Sequence, residues 1–150
     1  MTLQERLTAD LKQALKGGDT TRRSAIRLVI AGVKNAEIAK GAPLDDAGII
    51  DVIAREVKQR RESIAEFSKG NRQDLVAKEE AELAILFEYL PQQMSREEIV
   101  EAARGAMEQV GARGPGDKGK VMSQLMPQLK GRADGREVSD VVSELLAAHS

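Results

Sequence analysis

The sequence predicts an all-α fold, and three observations carry that prediction. Apolar residues recur at intervals of three and four along almost the whole chain, the spacing that lines up one face of a helix. Glycines, prolines and short polar side chains interrupt the pattern where helices of ordinary length would start and stop. No stretch of useful length alternates apolar and polar residues as a half-buried strand would. Two parts are expected: a four-helix, bundle-like N-terminal domain over residues 1–90, and a small C-terminal module of about three helices over residues 94–150.

The first helix is marked by Leu3, Leu7, Leu11 and Leu15, which stack at i, i+4 on one face. Gly17 and Gly18 stop it, because glycine enters the left-handed closing conformation without a side-chain clash. Asp19 or Thr20 caps a second helix that carries Ile26, Val29, Ile30 and Val33 and ends near Lys40 and Gly41. "APLDDAG" is a turn, with Asp45 or Asp46 capping a long third helix through Ile49, Ile53, Val57, Ile64 and Phe67. Gly70 closes that helix. Asn71 is placed to cap a fourth, which carries Val76, Leu83, Leu86 and Leu90 as a packing face.

"LPQQMS" at residues 90–95 is the domain boundary, since Pro91 disfavours helix at Leu90. Ser95 with Glu98 forms a capping box, so a fifth helix starts at once and runs through Ile99, Ala102, Ala103, Met107 and Val110. After "GARGPG", Asp117 is the expected cap of a short helix with Val121, Met122, Leu125, Met126 and Leu129, kinked or broken at Pro127. Asp134 to Glu137 resembles a second capping box, opening a last helix through Val138, Val141, Val142, Leu145 and Leu146. A tail module of this size is marginal alone and is expected to lean on the first part.

Composition narrows the function. Lys and Arg total 23 against 24 Asp and Glu, so the chain has no overall coat of positive charge. Aromatics are 2% of residues, which disfavours a sheet that stacks bases on aromatic rings. Cysteine is absent, so thiolate zinc sites, disulfides and thiol nucleophiles are excluded. The single histidine, His149, stands next to the end and reads as a solvated tail residue. No catalytic, cofactor or metal site is expected. The charged N-terminus has no apolar signal core and no run approaches a membrane span, so the expectation is a cytoplasmic protein without a membrane partner.

One stretch stands out. "GPGDKGKVMSQLMPQLKGRADGR", with Arg113 before it, holds Arg113, Lys118, Lys120, Lys130, Arg132 and Arg136 against only Asp117 and Asp134. Glycines there expose amide hydrogens near helix starts, and such amides with basic side chains suit phosphate contacts. On the residues alone, a solvated loop is the plainer account. A nucleotide-binding P-loop is rejected: Gly114, Gly119 and Lys120 fit its spacing, but Val121 stands where a hydroxyl is needed and no strand precedes it. A second basic cluster, Arg55, Lys58, Arg60 and Arg61, reads as a salt-bridged solvated face, for example Lys58 with Glu62. Glu79, Glu80 and Glu82 read as solvent-exposed, as do Glu97, Glu98 and Glu101. Met107, Met122 and Met126 read as core fillers.

The segment "GKVMSQLMPQLKGRADGREVSDVVSELL" resembles the family that joins YqeY-like proteins with the tail domain of the B subunit of the tRNA-dependent amidotransferase. The pattern falls on Gly119, Val121 and Met122, then on Gly131 to Asp134, then on Val138, Val141 and Val142. "AIRLVIAGVKNAEI", "EVKQRRESIAEF" and "EAELAILFEYLPQQMS" extend the likeness over nearly the whole chain. Ser123 and Ser139 depart from the Lys and Asn that relatives often carry there. The resemblance implies an all-helical two-part fold and an association with tRNA, with Lys118, Lys120, Lys130, Arg132 and Arg136 as the nucleic-acid contacts. It also associates the family with carbon–nitrogen ligase activity using glutamine as amide donor. The nucleophile and the nucleotide site which that chemistry requires are not legible in the chain. Three functions follow in descending order: a tRNA-binding or amidotransferase-accessory module, a helical protein–protein adaptor with no nucleic acid, and an autonomous ligase.

Overall fold

The computed structural model describes residues 1–149. It is all-α, as the sequence predicts, with seven α-helices and no strand among the described residues. The chain divides into two compact units, Met1–Leu90 and a second that begins at Pro91. Ser150, the last residue of the expected tail module, lies outside the described residues.

The first unit contains α1 (Leu3–Gly17), α2 (Thr20–Lys40), α3 (Asp46–Lys69) and α4 (Gln73–Phe87). Its core gathers Leu7, Ile26, Val29, Ile49, Ile53 and Leu86, with Tyr89 just past α4. Each large side chain removed from water contributes roughly 1.5–3 kcal/mol. Gly18 and Gly41 close α1 and α2 in the left-handed conformation, at φ 70° and 75°. Asp19 and Asp45 cap α2 and α3 by accepting from the amides of Arg22 and Gly48 at 3.0 and 2.9 Å. Thr2 and Glu5 form a capping box at α1.

Two expectations fail in this unit for geometric reasons. Leu15 is 47% exposed, and Ala14 takes the buried place. An i, i+4 row drifts by about 40° per step on a helix of 3.6 residues per turn, so four leucines cannot all face one core. Asn71 does not cap α4. It adopts the left-handed conformation at φ 57°, and the Arg72 amide reaches back to Phe67 O at 2.9 Å. Asn71 therefore finishes α3, a task Asn performs when Gly does not, while Gly70 stays at φ −83°.

The second unit contains α5 (Arg96–Val110), a single 3-10 turn at Pro115–Asp117, α6 (Lys118–Leu129) and α7 (Gly135–His149). These helices pack pairwise around Ile99, Ala103, Val121, Leu125, Val138, Val141, Val142 and Leu146. Met107 is buried in this core, and Met122 and Met126 pack against it. Ser95 and Glu98 form the capping box that the sequence predicts. Asp117 makes no side-chain cap at α6; its Oδ2 accepts from the Arg113 amide at 2.8 Å instead. α6 runs through Pro127 to Leu129 without a break. Pro127 has no amide to donate to Ser123 O, so one helical hydrogen bond is forfeited there while the helix continues two residues further.

Candidate nucleic-acid interface

The five basic residues expected to meet RNA separate into two groups. Lys118 and Lys120 stand in the first turn of α6, Lys118 half-buried and Lys120 exposed. Lys130, Arg132 and Arg136 lie past its other end, in the connection to α7 and the first turn of α7. Most of that helix separates the two groups, a span of about 15 Å from Lys120 to Lys130 at 1.5 Å per residue. At the start of α6 no side chain caps the amides, and a Cβ added to Gly119 would meet nothing within 4 Å. The Lys120 ammonium is 4.0 Å from Asp117 Oδ1, a loose and exposed pair. The Asp117 carboxyl is held below its usual range, first by the Arg113 amide that it accepts from, with Lys120 adding to the effect.

The second group is built differently. Gly131 turns the chain at φ 74°, and the Arg132 and Ala133 amides both bond Leu129 O. Arg132 is half-buried and its Nε donates to Gln92 O at 3.2 Å. The Met94 amide donates to Arg132 O at 2.8 Å, and Gln93 Nε2 donates to Gly131 O at 2.7 Å. The "QQM" of the boundary segment at residues 90–95 is thus clasped to this turn. Arg132 also helps hold the Glu98 carboxyl below its usual range, behind the larger effect of the Ser95 amide and hydroxyl. Arg136 is exposed, and its amide bonds Asp134 Oδ1 at 3.3 Å.

Sequence reasoning missed a charge cluster in the first unit. Arg60, read as part of a solvated face, is 6% exposed, and Glu82 is 4% exposed. Arg60 Nη1 donates to Glu79 Oε2 at 2.8 Å and to Glu82 Oε2 at 2.7 Å, joining α3 to α4. Its Nε and Nη2 are enclosed with no hydrogen-bond partner. The signal was available: Arg60 continues the buried row Ile49, Ile53, Val57, and Glu79 and Glu82 fall between Val76 and Leu86. Periodicity, rather than residue type, locates this cluster. A second arrangement fastens the end of α4. Arg6 lies over the Tyr89 ring at 4.5 Å, the Tyr89 hydroxyl donates to Asp10, and Arg22 grips both oxygens of Glu88 at 3.1 and 3.0 Å. Burial first, then Asp10, pushes the Tyr89 hydroxyl well above its ordinary range.

Among the described residues, no set of three His, Asp or Glu side chains converges on a point that could hold a metal ion. No helix among them is long and apolar enough to cross a membrane.

A helical protein of two such units matches one family model. The model for Yqey-like proteins covers residues 4–146, and the chain belongs to that family. Curated relatives in several yeasts carry the name "Altered inheritance of mitochondria protein 41, mitochondrial". The protein of Lachancea thermotolerans is 44% identical over 87 residues, 57% of this chain and 46% of the relative. That of Kluyveromyces lactis is 45% identical over 97 residues, 62% and 52% of the two chains. That of Saccharomyces cerevisiae strain S288c is 40% identical over 87 residues, 57% and 47%. The chain spans about half the length of the curated relatives it matches. Their names also overturn the expectation of a cytoplasmic protein, because they assign these relatives to mitochondria. The expectation rested on the lack of an apolar signal core. That feature bears on secretion and does not choose between aqueous compartments.

Proposed function

We propose that this YqeY-like chain is a non-catalytic accessory protein whose second unit contacts tRNA phosphates through Lys118, Lys120, Lys130, Arg132 and Arg136. The observation that carries this reading is the start of α6. Two lysines, an open glycine and a first turn without a side-chain cap meet there, the Lys118 amide being held by Pro115 O, and this combination suits a phosphate oxygen. The second group, about 15 Å away along the helix, supplies contacts to another part of the same backbone. The resemblance to the amidotransferase tail supports a tRNA partner, and the glutamine-dependent ligation linked to that family falls to a partner enzyme. The mitochondrial names of the relatives support work in that compartment. A second reading, a protein–protein adaptor with no nucleic acid, is supported by Arg132, whose Nε is engaged on Gln92 O.

The test is tRNA affinity measured across a salt series. Each phosphate contact adds about −0.7 to −0.9 to the log–log slope, so four or five contacts give roughly −3 to −4. Changing Lys118 and Lys120 to Ala should flatten the slope by about two contacts' worth. The same change at Lys12 and Lys16 on α1 should leave it alone. If the unaltered chain shows no salt-dependent binding, or both double variants lose it equally, the adaptor reading takes its place.

A further inference from the structure

Helix α2 has two distinct faces. Ala25, Ile26, Val29 and Val33 are buried in the core of the first unit. On the other side Ser24, Leu28, Ala31, Asn35 and Ile38 are all exposed, with Leu28 at 48% and Ile38 at 79%. Their spacing alternates four and three. That is the a/d repeat of a coiled-coil seam, and Asn35 occupies an a position, where asparagine fixes register and pairing. Two large apolar side chains that α2 leaves in water therefore share one stripe.

Charge flanks that stripe on one side. At about 100° per residue, Arg23, Arg27 and Lys34 form a single row beside it, and Arg27 and Lys34 fall at g positions. α2 as a whole bears Arg22, Arg23, Arg27, Lys34 and Lys40 against Glu37 alone. Glu37 is engaged by the Leu44 amide at 2.9 Å, and Arg22 by Glu88 at 3.0 Å. Arg23, Arg27 and Lys34 make no ion pair among the described residues. The opposite flank carries Gly32 and Ala39 at e positions and is bordered by α3, whose Glu56 Oε1 stands 4.0 Å from where a Gly32 Cβ would lie.

We propose that this face of α2 docks an acidic amphipathic helix of a partner protein. The site lies in the first unit and goes beyond the role proposed for the second. A second copy of the chain fits less well: antiparallel pairing sets the basic row against itself, and parallel pairing offers Arg27 and Lys34 only the one carboxylate, Glu56, that borders Gly32 and Ala39. A membrane surface fits poorly too. Leu28 and Ile38 are about 15 Å apart along the axis, too sparse for the continuous apolar face that an interfacial helix buries. RNA phosphates would use the basic row and leave Leu28 and Ile38 in water. An acidic helix covers Leu28, Ala31 and Ile38, pairs an asparagine with Asn35, and sets Glu side chains against Arg27 and Lys34.

The experiment uses the full chain and a labelled synthetic three-heptad helix with Leu and one Asn on its seam and Glu on both flanks. A twin peptide carries Lys in place of Glu. Fluorescence anisotropy at low salt should show the Glu peptide binding at least about ten-fold more tightly than its twin. Changing Leu28 and Ile38 together to Ser should weaken binding by at least about ten-fold while the helical circular dichroism stays unchanged, because both side chains stand in water. Changing Arg27 and Lys34 together to Glu should invert the preference between the two peptides. Equal affinity for both peptides, binding of neither, or no inversion overturns the proposal. Displacement of the bound peptide by tRNA overturns it in favour of a phosphate site. A concentration-dependent dimer that the Leu28 and Ile38 change abolishes overturns it in favour of self-association.

Discussion

Arg60 shows how a single residue changes role with its place on a helix. Within "EVKQRRES" it looks like its neighbours, yet Arg61 lies over the Phe87 ring at 5.4 Å while Arg60 points between α3 and α4. One guanidinium nitrogen serves two carboxylates, and the net charge of the cluster is that of one plus against two minus. Removing the arginine leaves Glu79 and Glu82 facing each other without a counter-charge. Arg60→Ala should therefore destabilise the chain by about 3 kcal/mol, the lower end for a broken buried pair, since Glu79 keeps some contact with water. Replacing Arg60, Glu79 and Glu82 together with Met, Leu and Leu should cost far less, because no charge is then left in the interior. Urea midpoints of the two variants check this. Equal losses would show that the volume filled by the cluster matters and its charge does not.

At the scale of the element, two mid-helix glycines have opposite reasons. A Cβ on Gly32 in α2 would stand 2.9 Å from Val52 Cγ1, so α2 and α3 approach closely there. Val52 is buried and β-branched, and it has little freedom to give way. Gly105 in α5 has nothing within 4 Å of an added Cβ. Gly105→Ala should raise stability by about 0.5–1 kcal/mol through helix propensity and a less flexible unfolded chain. Gly32→Ala should lower stability although it makes the same propensity gain, by about 1–3 kcal/mol for overpacking. Thermal melts of the two variants should shift in opposite directions. Both glycines look identical in the sequence, and this marks where legibility ended. The helices, the cap at Ser95, the caps of α2 and α3 to within one residue, and most core residues followed from local period and chemistry. Leu15 was misplaced by the drift of an i, i+4 row, and Asn71, Asp117 and Arg60 were decided by a neighbouring turn or an opposing helix. Of the candidate RNA contacts, the sequence showed the charges and their glycines. The clasp of Gln92, Gln93 and Met94 on Gly131 and Arg132 joins residues some 38 to 40 positions apart, and no local pattern announces it.

For the whole molecule, the decisive fact is that two groups of buried side chains share no member. One runs from Leu3 to Tyr89 and the other from Ile99 to Leu146. Cooperativity in folding comes from side chains that lose their partners together, and a truncation in one core first removes partners in that core. The second unit, with about 60 residues, buries a smaller fraction of its surface than a larger domain would and should be the less stable of the two. Scanning calorimetry of the full chain should resolve two transitions. Ile53 has no exposed surface in the first core, and Val138 has none in the second. Ile53→Ala should cost the first unit about 2–5 kcal/mol and move its transition down by several degrees, leaving the other in place. Val138→Ala removes less volume and should move only the lower transition, by about 1–3 kcal/mol in the range typical of point changes. Amide exchange read separately over residues 1–90 and 91–149 distinguishes the two units when the transitions overlap. If either substitution lowers protection equally across both segments, the chain unfolds as one cooperative body and the division at Pro91 has no energetic meaning.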